Sequence, residues 1–407
     1  MRIPPLLREN VGFRRLWCSQ TVSVAGDHVS LVALPLVGVL ALHAGPAQMG
    51  LLTAAAWAPS LVFSLHAGAW VDRTGRPREA MIAADVGRAV LLVTVPVAWA
   101  LGVLTFAQLI AVAFAAGTLG AIATVAYGTV YAALVERERL VEAGVLINAS
   151  RAGAAVAGPS VGGVLVTALT APVALLADAA SFVASAWWLR RVVLRPRATD
   201  VSGGLVEGAR FIARSAVVRP ILAATATLNF FSFAVMALYT LYATRTLGVR
   251  PSELGLVLGV GAVGGLAGAA LTSRIVERVG VGAAFAAGCV LYPAPMLLVP
   301  LAGGPHVLVL AALLAESVGA TFGVMIVDIT AGAILAAAVP EGLRARMTGA
   351  FQLVNYGVRP LGALAGGAFG AGIGMRPTLL VAVGGAVASV FWLLPSPVLQ
   401  LRALPEA

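Results

Sequence analysis

Acids and arginines stand inside long apolar runs at Asp27, Asp85, Arg88, Arg151, Asp178, Glu316, Asp328 and Arg359. A charge held at mid-bilayer costs about 2.5–3.5 kcal/mol on insertion scales and more in simulations, so each such residue is a functional candidate. Two roles are open to them. An enclosed carboxylate can take up and release a proton while its surroundings alternate; a fixed ion pair holds helices in register. Asp27 lies ten residues beyond Trp17, about 15 Å along a helix, and Arg151 lies ten beyond Val141 in a run of the same direction. Equal depth makes an Asp27–Arg151 salt bridge the expected pairing. Glu316 falls near the middle of its run, Arg359 beyond the midpoint of its own, and Asp178 in the outer part of its segment, where a structural role is expected. Asp85 and Arg88, one turn apart, are expected to pair along one helix.

Other chemistry is poorly represented. Cys18 and Cys289 are far apart within apolar stretches, and His28, His43, His66 and His306 share no ligand spacing, so no metal or disulfide framework is expected. A GxxxxGK[ST] phosphate loop is absent from the sequence. The chain is therefore expected to need no cofactor and to carry out no enzymatic reaction.

The elements that position these residues follow from composition. Of 407 residues, 60% are hydrophobic and 11% charged, whereas soluble domains run roughly 45–50% apolar and about 25% charged. Apolar runs of about 20 residues, enough to cross a hydrocarbon core, fall at Trp17–Leu42, Ala47–Trp70, Met81–Leu104, Phe106–Val135, Val141–Ala168, Ala171–Leu189, Ile221–Ala243, Leu254–Arg274, Val281–Ala302, His306–Ala338, Met347–Ile373 and Thr378–Leu399. The reading is an all-α membrane protein with about twelve transmembrane helices. All 27 basic residues are arginine, a bias that suggests a high-GC bacterial genome. With the N-terminus inside, the outer loops hold only Arg245, Arg250 and Arg376, and the other loop arginines face the cytoplasm. Both termini are thus expected inside a bacterial cytoplasmic membrane. The net charge of +10 is spread over short loops rather than one patch, which argues against a nucleic-acid partner.

The longest polar stretch runs from Arg190 to Arg219 and contains a loosely helical pattern, Leu205 to Val217, suited to lying on a membrane surface. It divides the chain into six spans (1–194), a cytoplasmic linker with an amphipathic helix (195–219) and six more spans (220–407). The halves echo each other. Val71-Asp72-Arg73-Thr74-Gly75 follows span two and Val276-Glu277-Arg278-Val279-Gly280 follows span eight, and internal repeats are how many secondary transporters are built.

The first of these loops reads Gly68-Ala-Trp-Val-Asp72-Arg73-Thr-Gly75-Arg76-Pro77-Arg78. Gly75 permits a tight turn with positive φ, and the arginines hold the loop at the headgroups. This loop resembles the GxxxDRxGRR/K motif of the major facilitator superfamily, with Pro77 displacing the last basic residue to Arg78. The resemblance implies two six-helix bundles in the major-facilitator fold. It also implies a conformational latch in which Asp72 and Arg73 act against the region of Arg344 to Met347. Glu277 and Arg278 are its counterparts in the second half.

Span five carries Gly158-Pro159-Ser-Val-Gly162-Gly163. Glycines there allow close helix contact, and Pro159 removes a backbone hydrogen bond. The stretch resembles the GPxxGG motif of the superfamily's antiporters; a glycine-rich packing helix without transport polarity is the alternative. Phe13-Arg14-Arg15-Leu16-Trp17, Gly26-Asp27, Ala84 to Ala89 and Asp178-Ala-Ala-Ser181-Phe182 look like the branch of macrolide-efflux and enterobactin exporters. By that resemblance the chain is expected to be a monomeric, proton-coupled exporter of a hydrophobic or amphiphilic small molecule. A cavity for such a guest is mostly apolar with a few polar groups; Tyr127, Tyr131, Asn229, Phe230, Phe233 and Tyr239 are candidates for its wall. The alternatives are an importer of a small polar nutrient and a receptor-like relative that moves nothing.

Overall fold

The computed structural model describes residues 4–193 and 205–403; the side chains of residues 62–73, 137, 205–206, 341 and 345 lie outside that description. The described chain is helical throughout. In order, the helices are α1 (Pro5–Glu9), α2 (Val11–Leu36), α3 (Pro46–Thr74), α4 (Pro77–Ala100), α5 (Phe106–Leu134), α6 (Leu140–Ala168), α7 (Ala171–Leu189) and α8 (Leu205–Arg214). They continue with α9 (Val218–Arg245), α10 (Pro251–Val279), α11 (Val281–Leu291), α12 (Leu298–Leu301), α13 (His306–Ala338), α14 (Arg344–Gly372) and α15 (Met375–Val387). Among the described residues, ten segments are long and apolar enough to cross a membrane. The other two expected spans coincide with α3 and α14, each 29 residues of helix.

Local chemistry sets the ends. The Asn10 side chain accepts from Phe13 N at 2.8 Å at the start of α2 and donates to Leu134 O at the end of α5, also at 2.8 Å. An asparagine in that position satisfies donors the first turn would otherwise leave open. Pro35, which lacks an amide hydrogen, lies in the last turn of α2, and a π-helical turn follows over Val37–Ala41. Pro77 and Pro251 begin α4 and α10, where the missing N–H costs nothing.

The helices group into two compact units. One takes in Met1–Ala44, Ala55–Asp200 and Arg250–Gly259; the other takes in Gly45–Ala54, Val201–Val249 and Val260–Ala407. The first turns of α3 thus count with the second unit and those of α10 with the first. Within the first, α2 packs on α6 and α7, and α4 on α5 and α7. Within the second, α9 packs on α14 and α15, and α11 on α13. Leu16, Met81, Ala126, Val130 and Leu189 are buried together in the first unit; Ile221, Phe285, Val327, Ala350 and Ala386 are buried together in the second.

The expected amphipathic segment forms a helix, and its apolar side is turned to protein. α8 docks on α14, with Ile212 inside the second unit's core and Phe211 and Val217 against it. A Cβ at Gly208 would overlap the Arg346 carbonyl, so glycine lets the two backbones touch. Glu207 pairs with Arg346 beside that contact. An apolar stripe seeks any dry surface, and here protein supplies it.

Candidate functional site

The first unit gathers charge where α2, α4 and α7 meet. Along α2, Ser19, Ser23, Gly26 and Ser30 recur at helical spacing and give the helix a face of small residues. A Cβ at Gly26 would overlap Ser181 Oγ and Asp178 Oδ1 of α7, so only glycine allows this approach. Asp178, 1% exposed, accepts from Ser181 Oγ at 3.0 Å and from Ser30 Oγ. Asp27, next to Gly26, pairs with Arg88 of α4. Its side chain is 42% exposed, against 15% for Arg88, so this carboxylate is open on one side. The Arg88 guanidinium lies 3.9 Å over the Phe182 ring, and its Nε is buried with no hydrogen-bond partner among the described residues. Asp85, also buried, accepts from Ser185 Oγ at 2.6 Å, and that hydroxyl shares a 2.8 Å hydrogen bond with Ser19.

This arrangement corrects two expected pairings. Asp27 pairs with Arg88, not with Arg151, because depth along a helix leaves azimuth undetermined. Arg151 turns to α5, with its guanidinium carbon 6.0 Å from the Tyr127 ring centre. The intrahelical Asp85–Arg88 pair does not form either, since each side chain finds a partner on a neighbouring helix. Tyr127 and Tyr131 lie together, with ring centres 5.9 Å apart.

The second unit holds fewer charges and more amides. Arg359 Nε donates to Asn229 Oδ1 at 2.8 Å, and Asn229 Nδ2 donates to Asn355 Oδ1 at 2.8 Å. The guanidinium also lies over Tyr356 at 4.2 Å and Phe233 at 5.1 Å. Glu316 is buried and accepts from Tyr239 OH at 3.1 Å. Of the expected wall residues, Tyr239 is thus committed to Glu316, Asn229 to Arg359, and Phe233 is buried beneath the arginine. Phe230 stacks edge-on to Phe231 at 5.1 Å, and its carbonyl borders Gly362.

The glycine motif of α6 packs on both sides. A Cβ at Gly158 would overlap His28 Cβ, and one at Gly162 would stand 3.1 Å from Val29 Cα, both on α2. A Cβ at Gly163 would stand 3.0 Å from Gly255 Cα of α10. The second unit repeats the device, because a Cβ at Gly367 of α14 would stand 2.8 Å from Gly50 Cα of α3. Pro159 lies inside continuous helix.

The loop after α3 turns at Gly75 with φ +60, and the loop after α10 turns at Gly280 with φ +88. Arg76 occupies the position before the first turn of α4. Arg78 donates to Val192 O at 2.8 Å and pairs with Glu79, which ties the loop to the end of α7. Glu277 and Arg278 are exposed in the last turn of α10. The side chains of Gly68, Asp72 and Arg73 lie outside the described residues. Two further ties were not foreseen: Arg139 bridges Glu9 and Glu142 where α1 meets α6, and Glu142 also accepts from Leu6 N at 2.9 Å.

Comparison with known proteins places this architecture. The profile of the Major Facilitator Superfamily matches residues 16–363. The chain is 28% identical over 398 residues to a protein of Mycobacterium tuberculosis named multidrug efflux pump Tap, covering 88% of this chain and 87% of that one. It is 26% identical to YfiS of Bacillus subtilis, described as an uncharacterized MFS-type transporter, over 66% of each chain. Among solved structures, it is similar to a mutant of the nucleoside transporter NupG, with TM-score 0.77 and 11% identity over 93% of this chain and 98% of that one. A bacterial homologue of the iron transporter ferroportin gives TM-score 0.73 and 16% identity over 96% and 98%. This chain, with its membrane-length helices and its buried charged cluster, belongs to the major facilitator superfamily of transporters.

Proposed function

We propose that this transporter exports hydrophobic or amphiphilic small molecules from the cell in exchange for entering protons, by alternating access, with both termini inside and as a monomer. The observation that carries the reading is Asp27, a carboxylate within a membrane helix that is paired to Arg88 yet open on one side. Such a group can exchange its arginine partner for a proton. The names of the relatives of matching length support export of varied guests. Tyr127 and Tyr131 suit an aromatic guest, and Asp72 with Arg73 supplies the latch of the cycle.

Purified protein in vesicles, with ethidium as probe and an imposed pH gradient, tests this. Wild-type protein moves ethidium until a protonophore is added, and Asp27→Asn does not. Wild-type rates in Asp27→Asn at a fixed gradient would remove Asp27 from coupling. A second reading, uptake of a polar nutrient, is favoured by the Arg359–Asn229–Asn355 cluster. It predicts saturable uptake of a nucleoside by the same vesicles and no movement of ethidium.

A further inference from the structure

Three aspartates and one arginine share the junction of α2, α4 and α7, and they are not equivalent. Asp27 is open and holds the arginine; Asp178 is enclosed and holds two serine hydroxyls. Gly26 brings Asp178 against the backbone beside Asp27. Arg88 is only partly committed. One terminal nitrogen holds Asp27, its Nε is buried without a partner among the described residues, and its plane rests on the Phe182 ring. That ring belongs to α7, one turn beyond Asp178. An aromatic face attracts a guanidinium but imposes little direction within its plane, so it supports the cation while its donors change partner.

We propose that Arg88 is a switchable counter-ion shared by Asp27 and Asp178, and that whichever carboxyl it leaves holds a proton. This rests on the proposed proton coupling and adds where the proton waits. In the arrangement seen, Arg88 neutralises Asp27, and Asp178 is a protonated acid among Ser30 and Ser181. In the alternate arrangement Arg88 turns to Asp178, the carboxyl proton passes from Asp178 to Asp27, and Asp27 opens the proton to exchange. One proton changes carboxyl, one cation changes partner, and the charge of the Asp27–Arg88–Asp178 set stays at zero. An uncompensated buried charge is what a low-dielectric interior penalises most.

The other groups facing this set are His28 on α2, next to Asp27, and Asp85 on α4, which is engaged by Ser185. Arg151 on α6 turns to Tyr127 instead.

Infrared spectra of the full chain in lipid nanodiscs at neutral pH read the proton directly, through the carbonyl stretch of protonated carboxyl groups. Wild-type protein should show this signal, and Asp178→Asn should lose part of it. Asp27→Asn should lose the same part although Asp178 is intact, because Arg88 is then free to ionise it. Arg88→Gln should raise that part about twofold, since two carboxyls that shared one cation then each bind a proton. Asp85→Asn and Glu316→Gln should leave that part in place. A signal unchanged in Asp27→Asn, or lost only with Asp85 or Glu316, overturns the proposal. Ethidium movement by the same variants in vesicles with an imposed pH gradient keeps the two ideas apart. Transport that ignores the pH gradient defeats the coupling, whereas gradient-driven transport without the carboxyl pattern defeats the shared counter-ion alone.

Discussion

The two units repeat each other in packing and diverge in charge. Each has a short helix ahead of its first long span tied by an ion pair to the base of another: α1 through Arg139 to α6, and α8 through Glu207 to α14. Both have a glycine-on-glycine crossing, and both turn a loop on a left-handed glycine. Their interiors differ. The first surrounds Arg88 with Asp27, Asp85 and Asp178, whereas the second holds Arg359 among Asn229, Asn355 and aromatic rings and leaves Glu316 to a tyrosine. The contacts that build each bundle recur from one unit to the other; the ionisable groups inside them do not.

The largest expected contrast tests that division. If the proposed coupling holds, Asp27→Asn should abolish gradient-driven ethidium movement, while Glu316→Gln should keep at least about half of it, because removing one buried hydrogen bond costs only about 1–2 kcal/mol and leaves the Asp27–Arg88–Asp178 cluster intact. The opposite result would move proton handling into the second unit. Next come the crossings, where the repeat predicts equal outcomes. Gly163→Leu and Gly367→Leu should each lower stability by about 1–3 kcal/mol, the usual cost of overpacking, read as matched falls in Tm. Unequal falls would show that one crossing is merely decorative. Asn229→Leu, which strips Arg359 of an oriented acceptor, should lower Tm by the equivalent of about 1–2 kcal/mol while ethidium export keeps its pH dependence. Smallest are the ties at the base. Arg346→Ala should cost no more than about 1 kcal/mol, with the difference from wild type fading in high salt, and Arg139→Ala should show the same fading.

The sequence made some of this plain and hid the rest for physical reasons. Membrane spans are legible because a 20-residue apolar run is a one-dimensional signal, and α4 through α7 begin and end within a few residues of their expected limits. The Gly75 turn is legible because it is local. The Asp27–Arg88 pair is not, since helical depth can be counted along the chain but the azimuth of a side chain depends on how neighbouring helices pack. Asp27 and Arg151 share a depth and never meet. The Ser19, Ser23, Gly26, Ser30 spacing was the unused signal for the face of α2 that meets α7, and Ser181 and Ser185, four apart, were the signal for its partner. The Glu207–Arg346 tie joins residues 139 positions apart, beyond the reach of any local pattern.

Gly26 carries a consequence for anyone mapping this protein by mutation. It has no ionisable atom, yet its bare backbone is what lets Asp178 of α7 approach the helix that carries Asp27. A scan confined to acidic and basic positions would pass over it. One added methyl there would keep every acid in the chain and still push Asp178 away from the helix that carries Asp27, so the spacing of these groups is written in a residue that has no charge of its own.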